Sequence, residues 1–283
     1  MHDADVQVIR IGPGSQPTEE DGSELEYLPM PHEMATYRPA LLPEREEIAG
    51  MEAGLRVLRD IGEQLAACCA GAAARPIALA PLDDANRRFL HQVLGEGEVS
   101  ARSTRDERLR VQETRLAGVW WVGLAAQDQT LARESLEVAD VPGALRSLAF
   151  ANVAPAPGIA PPPGIMNALP VLAELRERSR AWRAGDAAHV VNLSLLPLTE
   201  TDLAYIDASL GAGGILMLSR GYGNCRISAT ALAQVWWVQH FNNDEKLILN
   251  TLVVRDVPTE AMAAAEDFAD SAERLAGILE ALQ

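Results

Sequence analysis

Lysine is almost absent from this chain. Lys246 is the single one, and arginine carries nearly all the positive charge. Positive charge is scarce overall, at 24 Lys and Arg against 40 Asp and Glu, a formal net charge of −16. That balance argues against general nucleic-acid binding, which needs basic phosphate contacts, and against docking on anionic lipid. Cysteine is scarce too, and Cys68, Cys69 and Cys225 cannot make a disulfide framework. No apolar run approaches the roughly 20 residues of a membrane helix. The N-terminal MHDADVQVIRIGPG has no basic region followed by an apolar core, so no signal peptide is expected and a cytoplasmic protein is. CxxC, HxxxH and calcium-type loops are missing, and His2, His32, His91, His189 and His240 are scattered, so no metal site is expected. No cofactor site is expected either. The RGYGN loop lacks a Walker lysine and a following helix, and GPGSQP has the same defect.

What is present is an internal echo. LAGVWWVGLAAQDQTLARESLEVADVP and the later LAQVWWVQHFNNDEKLILNTLVVRDVP run at a constant offset that maps Trp120 to Trp236 and Pro142 to Pro258. The register holds without a gap from Leu79–Pro142 against Leu195–Pro258. Arg110, Thr114 and Leu116 match Arg226, Thr230 and Leu232. We read two copies of one supersecondary unit; two copies suggest a pseudo-twofold pair rather than a solenoid. Residues kept in both copies point to the shared fold, and residues in one copy only are free for function. Gly221, Tyr222, Gly223, Asn224 and Cys225 face Arg105, Asp106, Glu107, Arg108 and Leu109, and His240 faces Leu124.

Along the chain, residues 1–43 read as an irregular arm, rich in proline and acid. Residues 44–150 hold the first copy. A helix is expected over Glu44–Cys69, with Ile48, Met51, Leu55, Leu58, Ile61, Leu65 and Cys68 on one face. PIALAPL reads as a strand, and Asp84–Leu94 as a short helix capped by Asp83 or Asp84 and stopped by Gly95. A meander to Val138 turns at Gln127–Gln129, and a helix covers Gly143–Phe150. Residues 151–164, with APAPGIAPPPG, are the linker. Residues 165–283 hold the second copy: a helix over Ile165–Arg183, the strand HVVNLSLLPL, a helix over Thr201–Leu210, strands to Val254, and a C-terminal helix from Pro258 or Thr259. That last helix is expected to dock on its own sheet. The fold class is α+β, two internally repeated units with mixed or antiparallel sheets and a C-terminal helix.

The copy-specific stretch LSRGYGNCRISATALAQVWWVQH carries the candidate site. Arg220 and Arg226 flank Cys225, and His240 can approach it across a strand pair; a Cys–His nucleophile needs a lowered thiol pKa and an orienting acid. No such acid is evident, so packing is the first reading for Cys225, partner contact the second and covalent catalysis the last. Cys68 and Cys69 read as packing residues. Adjacent strand residues point to opposite faces, so one tryptophan of each pair is expected in the core and the other against a helix, the other copy or a partner. Trp237 joins the candidate contact residues on that ground. No catalytic residue is assigned.

At SRGYGNCRISATALAQVWWVQHFNNDEKLILNTLVVRDVP the chain resembles the HupH/HyaF family of hydrogenase expression proteins, as do GPGSQP and YLPMP near the N-terminus. The resemblance implies a non-enzymatic accessory protein in nickel–iron hydrogenase maturation. It would hold or protect the iron–sulfur small subunit precursor before assembly and export, acting as a chaperone. Arg220, Tyr222, Asn224, Cys225, Arg226, Trp237 and His240 are then candidate partner-binding residues. The alternatives are a thiol- or metal-dependent iron–sulfur assembly factor using Cys225, and a scaffold bridging other accessory proteins.

Overall fold

The computed structural model describes residues 43, 48–105, 108–125, 131–151, 158–221 and 223–282. Nearly all of the arm read for residues 1–43, the turn expected at Gln127–Gln129, and Tyr222 lie outside the described residues. Those described form an α+β fold with six α-helices and one ten-stranded sheet.

Helix α1 spans Glu52–Cys69, with Leu58, Ile61 and Leu65 on its buried stripe. Helix α2 spans Asp84–Leu94. The Asp83 carboxylate accepts the Asn86 N–H at 2.8 Å and fixes its start, while Gly95 at φ 58° ends it. Helix α3 spans Gly143–Ala149, α4 Ala168–Ala181 and α5 Glu200–Leu210. Asp202 ties the last two together. One of its oxygens accepts the N–H groups of Met166, Asn167 and Ala168; the other accepts the Thr199 N–H and hydroxyl. Burial disfavours this charge, but five donated hydrogen bonds outweigh it and hold the carboxyl below its usual range. The strands expected at PIALAPL and HVVNLSLLPL are shorter than that: β1 is Ile77–Ala78, and β6 is His189–Asn192 followed by a 3₁₀ turn, Leu193–Leu195.

The remaining strands are β2 (Val99–Ser103), β3 (Leu109–Glu113), β4 (Val119–Ala125), β5 (Leu131–Val138), β7 (Ala212–Ser219), β8 (Asn224–Thr230), β9 (Val235–Phe241) and β10 (Leu247–Val254). Their order is β1-β5-β4-β3-β2-β7-β8-β9-β10-β6, and every pairing is antiparallel. The sheets of the two halves therefore merge at β2 and β7, and the mixed alternative falls away. At this seam Ala101 pairs with Met217, its own counterpart at the sequence offset. Val111 faces Val122 as Ile227 faces Val238, and Trp120 faces Glu137 as Trp236 faces Val253. The outermost pairs depart from this: Ile77 meets Leu136, whereas Val191 meets Leu252.

One face of the sheet carries a core common to both halves. Val111, Trp120 and Val122 share it with Ile227, Trp236 and Val238, under α3 and the chain around Val257 and Ala261. The indole N–H of Trp120 donates to the Ala139 carbonyl, and that of Trp236 to those of Arg255 and Asp256. Arg146 closes this face by bonding Asp140 through both terminal nitrogens and Asp256 through Nε, so the aspartates of both DVP segments hold one guanidinium. The opposite face is covered in two parts. Helices α1 and α2 cover Trp121 and Leu136 of the first half, and α4 and α5 cover Val235 and Leu252 of the second.

The C-terminal helix departs from expectation twice. Thr259–Ala261 is a 3₁₀ turn, and helix α6 begins only at Ala265, spanning Ala265–Ala281. The Ala263 N–H donates to the Asp140 carbonyl and delays it. The helix then leaves its own half: Leu275 and Leu282 sit in the first half's core beside α1, and Ser271 Oγ donates to the Ala117 carbonyl at 2.9 Å. Gly118, at φ 80°, leaves room for Phe268, whose ring would touch any Cβ there. In the second half Ser179 of α4 makes the corresponding bond to the Ala233 carbonyl at 2.7 Å.

Candidate functional site

The β7–β8 hairpin carries most of the residues singled out in the sequence. One of its glycines has a backbone reason. Gly223 sits at φ 95°, where side chains are strained, whereas a Cβ on Gly221 would meet only the carboxylate of the exposed Glu98 side chain, which can move aside. The Arg220 N–H donates to the Glu98 carbonyl at 3.2 Å, seating the turn on the chain that enters β2, and the Arg220 residue is exposed.

The pleat divides the rest of the set. Cys225 and His240 are cross-strand partners, so their side chains share a face, the one with the common core. Cys225 is 4% exposed, and burial pushes its thiol up to about 12, with Glu260 adding to the effect. A thiol raised in this way stays protonated at neutral pH, the reverse of what a nucleophile or ligand requires. His240 carries a buried Nδ1 without a hydrogen-bond partner. Arg226 and Trp237 stand on the opposite face. The Trp237 indole donates to Asn250 Oδ1, whereas Trp121 lies flat on His91, with ring centroids 3.9 Å apart and planes at 8°. The Arg226 Nε is buried and makes no hydrogen bond. Asn224 pairs with Phe241 at the strand end. The structure thus brings Cys225 and His240 together, sets Arg226 and Trp237 on the far side of the sheet, and leaves Arg220 in the turn.

Arg102 and Arg110, on the same face as Arg226, were not among the sequence candidates. Arg110 had a signal, since it is the offset match of Arg226; Arg102 had none, because only strand pairing at the seam brings it there. Among the described residues no group of three or more His, Cys, Asp or Glu is placed to hold a metal ion, and no helix is long and apolar enough to cross a membrane.

Comparison with known proteins gives the wider role. The conserved C-terminal region of the HupH hydrogenase expression protein matches residues 51–150 and 165–282. The chain belongs to the HupH family of hydrogenase expression proteins. Hydrogenase expression/formation protein HupQ of Azotobacter chroococcum is 45% identical over 276 residues, covering 96% of each chain. The protein HoxQ of Cupriavidus necator is 42% identical over 281 residues, covering 99% of this chain and 98% of its own. Hydrogenase-1 operon protein HyaF of Escherichia coli is 30% identical, covering 95% of this chain and 94% of its own. The solved structure of HupH from Thiobacillus denitrificans is 32% identical, with a TM-score of 0.37, covering 41% of this chain and 94% of that one. This HupH-family member is a hydrogenase expression/formation accessory protein, and the names of its relatives suggest a non-catalytic role.

Proposed function

We propose that this HupH-family protein acts in the cytoplasm as a dedicated binding module for the iron–sulfur small subunit precursor of a nickel–iron hydrogenase. It holds and protects that subunit before the large subunit joins and the pair is exported. The observation that carries this reading is family membership, at 42–45% identity over nearly the whole chain to hydrogenase expression/formation proteins. The buried, protonated Cys225 adds support, because it favours holding over thiol chemistry. In this reading Arg220, Tyr222 and Asn224 at the hairpin, and Arg226 and Trp237 beyond it, contact the partner, while Cys225 and His240 support the hairpin from the core side. The −16 charge suits a partner carrying a basic export signal.

The test is a pull-down of the tagged protein from cells making the small subunit with its signal intact, followed by mass spectrometry and iron analysis. Recovery of the precursor supports the proposal. Recovery of other accessory proteins without it would turn the reading to a scaffold. Cys225→Ser is expected to keep partner recovery and hydrogenase maturation; a folded variant that loses maturation would point to the thiol-dependent factor.

A further inference from the structure

Seen from the helix-bearing side, the middle of the sheet is only partly covered. Strands β2, β3 and β8 each bury one side of the pleat and leave most of the other half-exposed or exposed, while β7 between β2 and β8 keeps Leu216 buried and Leu218 half-buried on this side. The open strip lies between the two helical covers, with His91 of α2 stacked on Trp121 at one side and Asp207 of α5 beside Arg226 at the other. Its floor holds three arginines. Arg102 and Arg110 are direct register partners on β2 and β3, and Arg226 lies two strands from Arg102 on β8. Like charges directly opposite each other in a ladder are unfavourable. Arg110 is exposed, the Arg226 Nε is buried without a hydrogen bond, and neither forms a salt bridge among the described residues. Asp207 comes near Arg226 and interacts with it electrostatically without forming a salt bridge, so of the two arginines Arg110 is the one with no acidic partner among the described residues. Leu218 of β7 lies between the arginines, and Gln112 beside Arg110 on β3 and Gln239 across from Arg226 on β9 flank them, offering apolar and amide contact.

We propose that this strip is a docking channel for an extended, acidic segment of a partner protein, with carboxylates on Arg110 and Arg226. Guanidinium suits this occupant, since its planar fork bonds a carboxylate through two parallel N–H groups. The strip is a local concentration of positive charge on a chain of net charge −16, so attraction for an acidic ligand belongs to the channel and not to the whole molecule. From β3 to β8 is three strand spacings, roughly 14 Å, and Arg226 stands two residues along β8 from Ser228, the position in line with Arg110, so the two backbones lie on the order of 16 Å apart, about five residues of extended chain. An acidic pair at that separation reaches both Arg110 and Arg226.

The probe is fluorescein-labelled octaglutamate, titrated with the full-length protein by fluorescence anisotropy at low salt and again at raised salt. Saturable binding is expected, weakening with salt, and falling about tenfold or more in Arg110→Gln/Arg226→Gln. Arg176→Gln/Arg180→Gln, on the exposed side of α4, is expected to bind as the parent does. No binding at low salt, or an equal loss in both double variants, would overturn the proposal. So would tighter binding of an octathymidylate, which would reassign the strip to nucleic acid. If the Arg110→Gln/Arg226→Gln protein fails to fold, Arg110→Gln alone decides the matter, because Arg110 is exposed and holds no structural bond.

Discussion

Cys225 shows how far a residue's surroundings outweigh its type. Its neighbours in sequence are arginines, which lower a thiol pKa, yet in the sheet it points into the core and its pKa rises. Alkylation of the native protein, followed by peptide mass spectrometry, should therefore modify the exposed Cys69 first and Cys225 only on unfolding. Rapid native labelling of Cys225 would contradict the burial. Glu113 behaves similarly. It is 6% exposed on β3, and burial raises its carboxyl to about 7, helped by Glu98 and Asp267 and opposed by the Gly118 and Val99 backbone. A raised acid favours the protonated fold: the stability it contributes is complete below the unfolded value near 4.5 and is lost as pH rises through about 7. The loss by pH 8 is on the order of 3 kcal/mol. Glu113→Gln, a neutral mimic, should leave Tm close to the parent at pH 4 and raise it at pH 8. A difference in Tm that does not change with pH would show that Glu113 is ionised in the fold.

At the scale of elements, the helices with local caps were legible in the sequence and the long-range placements were not. Gly95 ends α2 where the sequence put it, and of the two candidate caps, Asp83 and Asp84, the structure uses Asp83, because a cap is a property of neighbouring residues. The start of α4 moved inward from Ile165 to Ala168, since the acceptor that fixes it, Asp202, lies on another helix. Asp202→Ala should cost about 2–4 kcal/mol in urea unfolding, by leaving the N–H groups of two helix starts without their acceptor. A cost near zero would mean that water replaces it. The apolar rhythm of α6 was legible, but its address was not: periodicity says that a face is buried, never against what. Leu275→Ala should destabilise by about 3 kcal/mol and loosen α1 of the first half, read by hydrogen exchange over Glu52–Cys69. Loosening confined to the second half would contradict the crossing. The candidate site was legible as a list and not as a place, because alternation along β8 and β9 sends Cys225 and His240 one way and Arg226 and Trp237 the other. We hold the two-copy reading of the chain as a proposal; shared strand register supports it, and the shifted edge strands mark where it weakens.

For the whole molecule, the decisive fact is that the halves are not separable by any clean cut. The seam joins Val99–Ser103 to Ile215–Ser219 through continuous register, the core beneath it takes side chains from both halves, and Arg146 bonds an aspartate from each. Helix α6 crosses from the last residues of the chain to the first half's core. Cutting in the linker would strip Leu275 and Leu282 from Leu58, Ile61 and Leu65, and would bare the Trp120 and Trp236 side of both parts at once. Burying apolar surface is the main favourable term in folding, so each half alone should lack the core it needs. Urea unfolding should therefore give one transition, coincident by tryptophan fluorescence and far-ultraviolet circular dichroism, and Leu145→Ala and Leu172→Ala should each shift the whole of it. Two separated transitions, or a soluble fragment of residues 165–283 with native-like fluorescence, would show that the second half folds by itself. In that event the seam would be a docking interface between domains, and the channel at its centre could open and close with their movement. A single transition instead makes the channel a fixed feature of one sheet, with Arg110 and Arg226 held at constant separation by the strands between them.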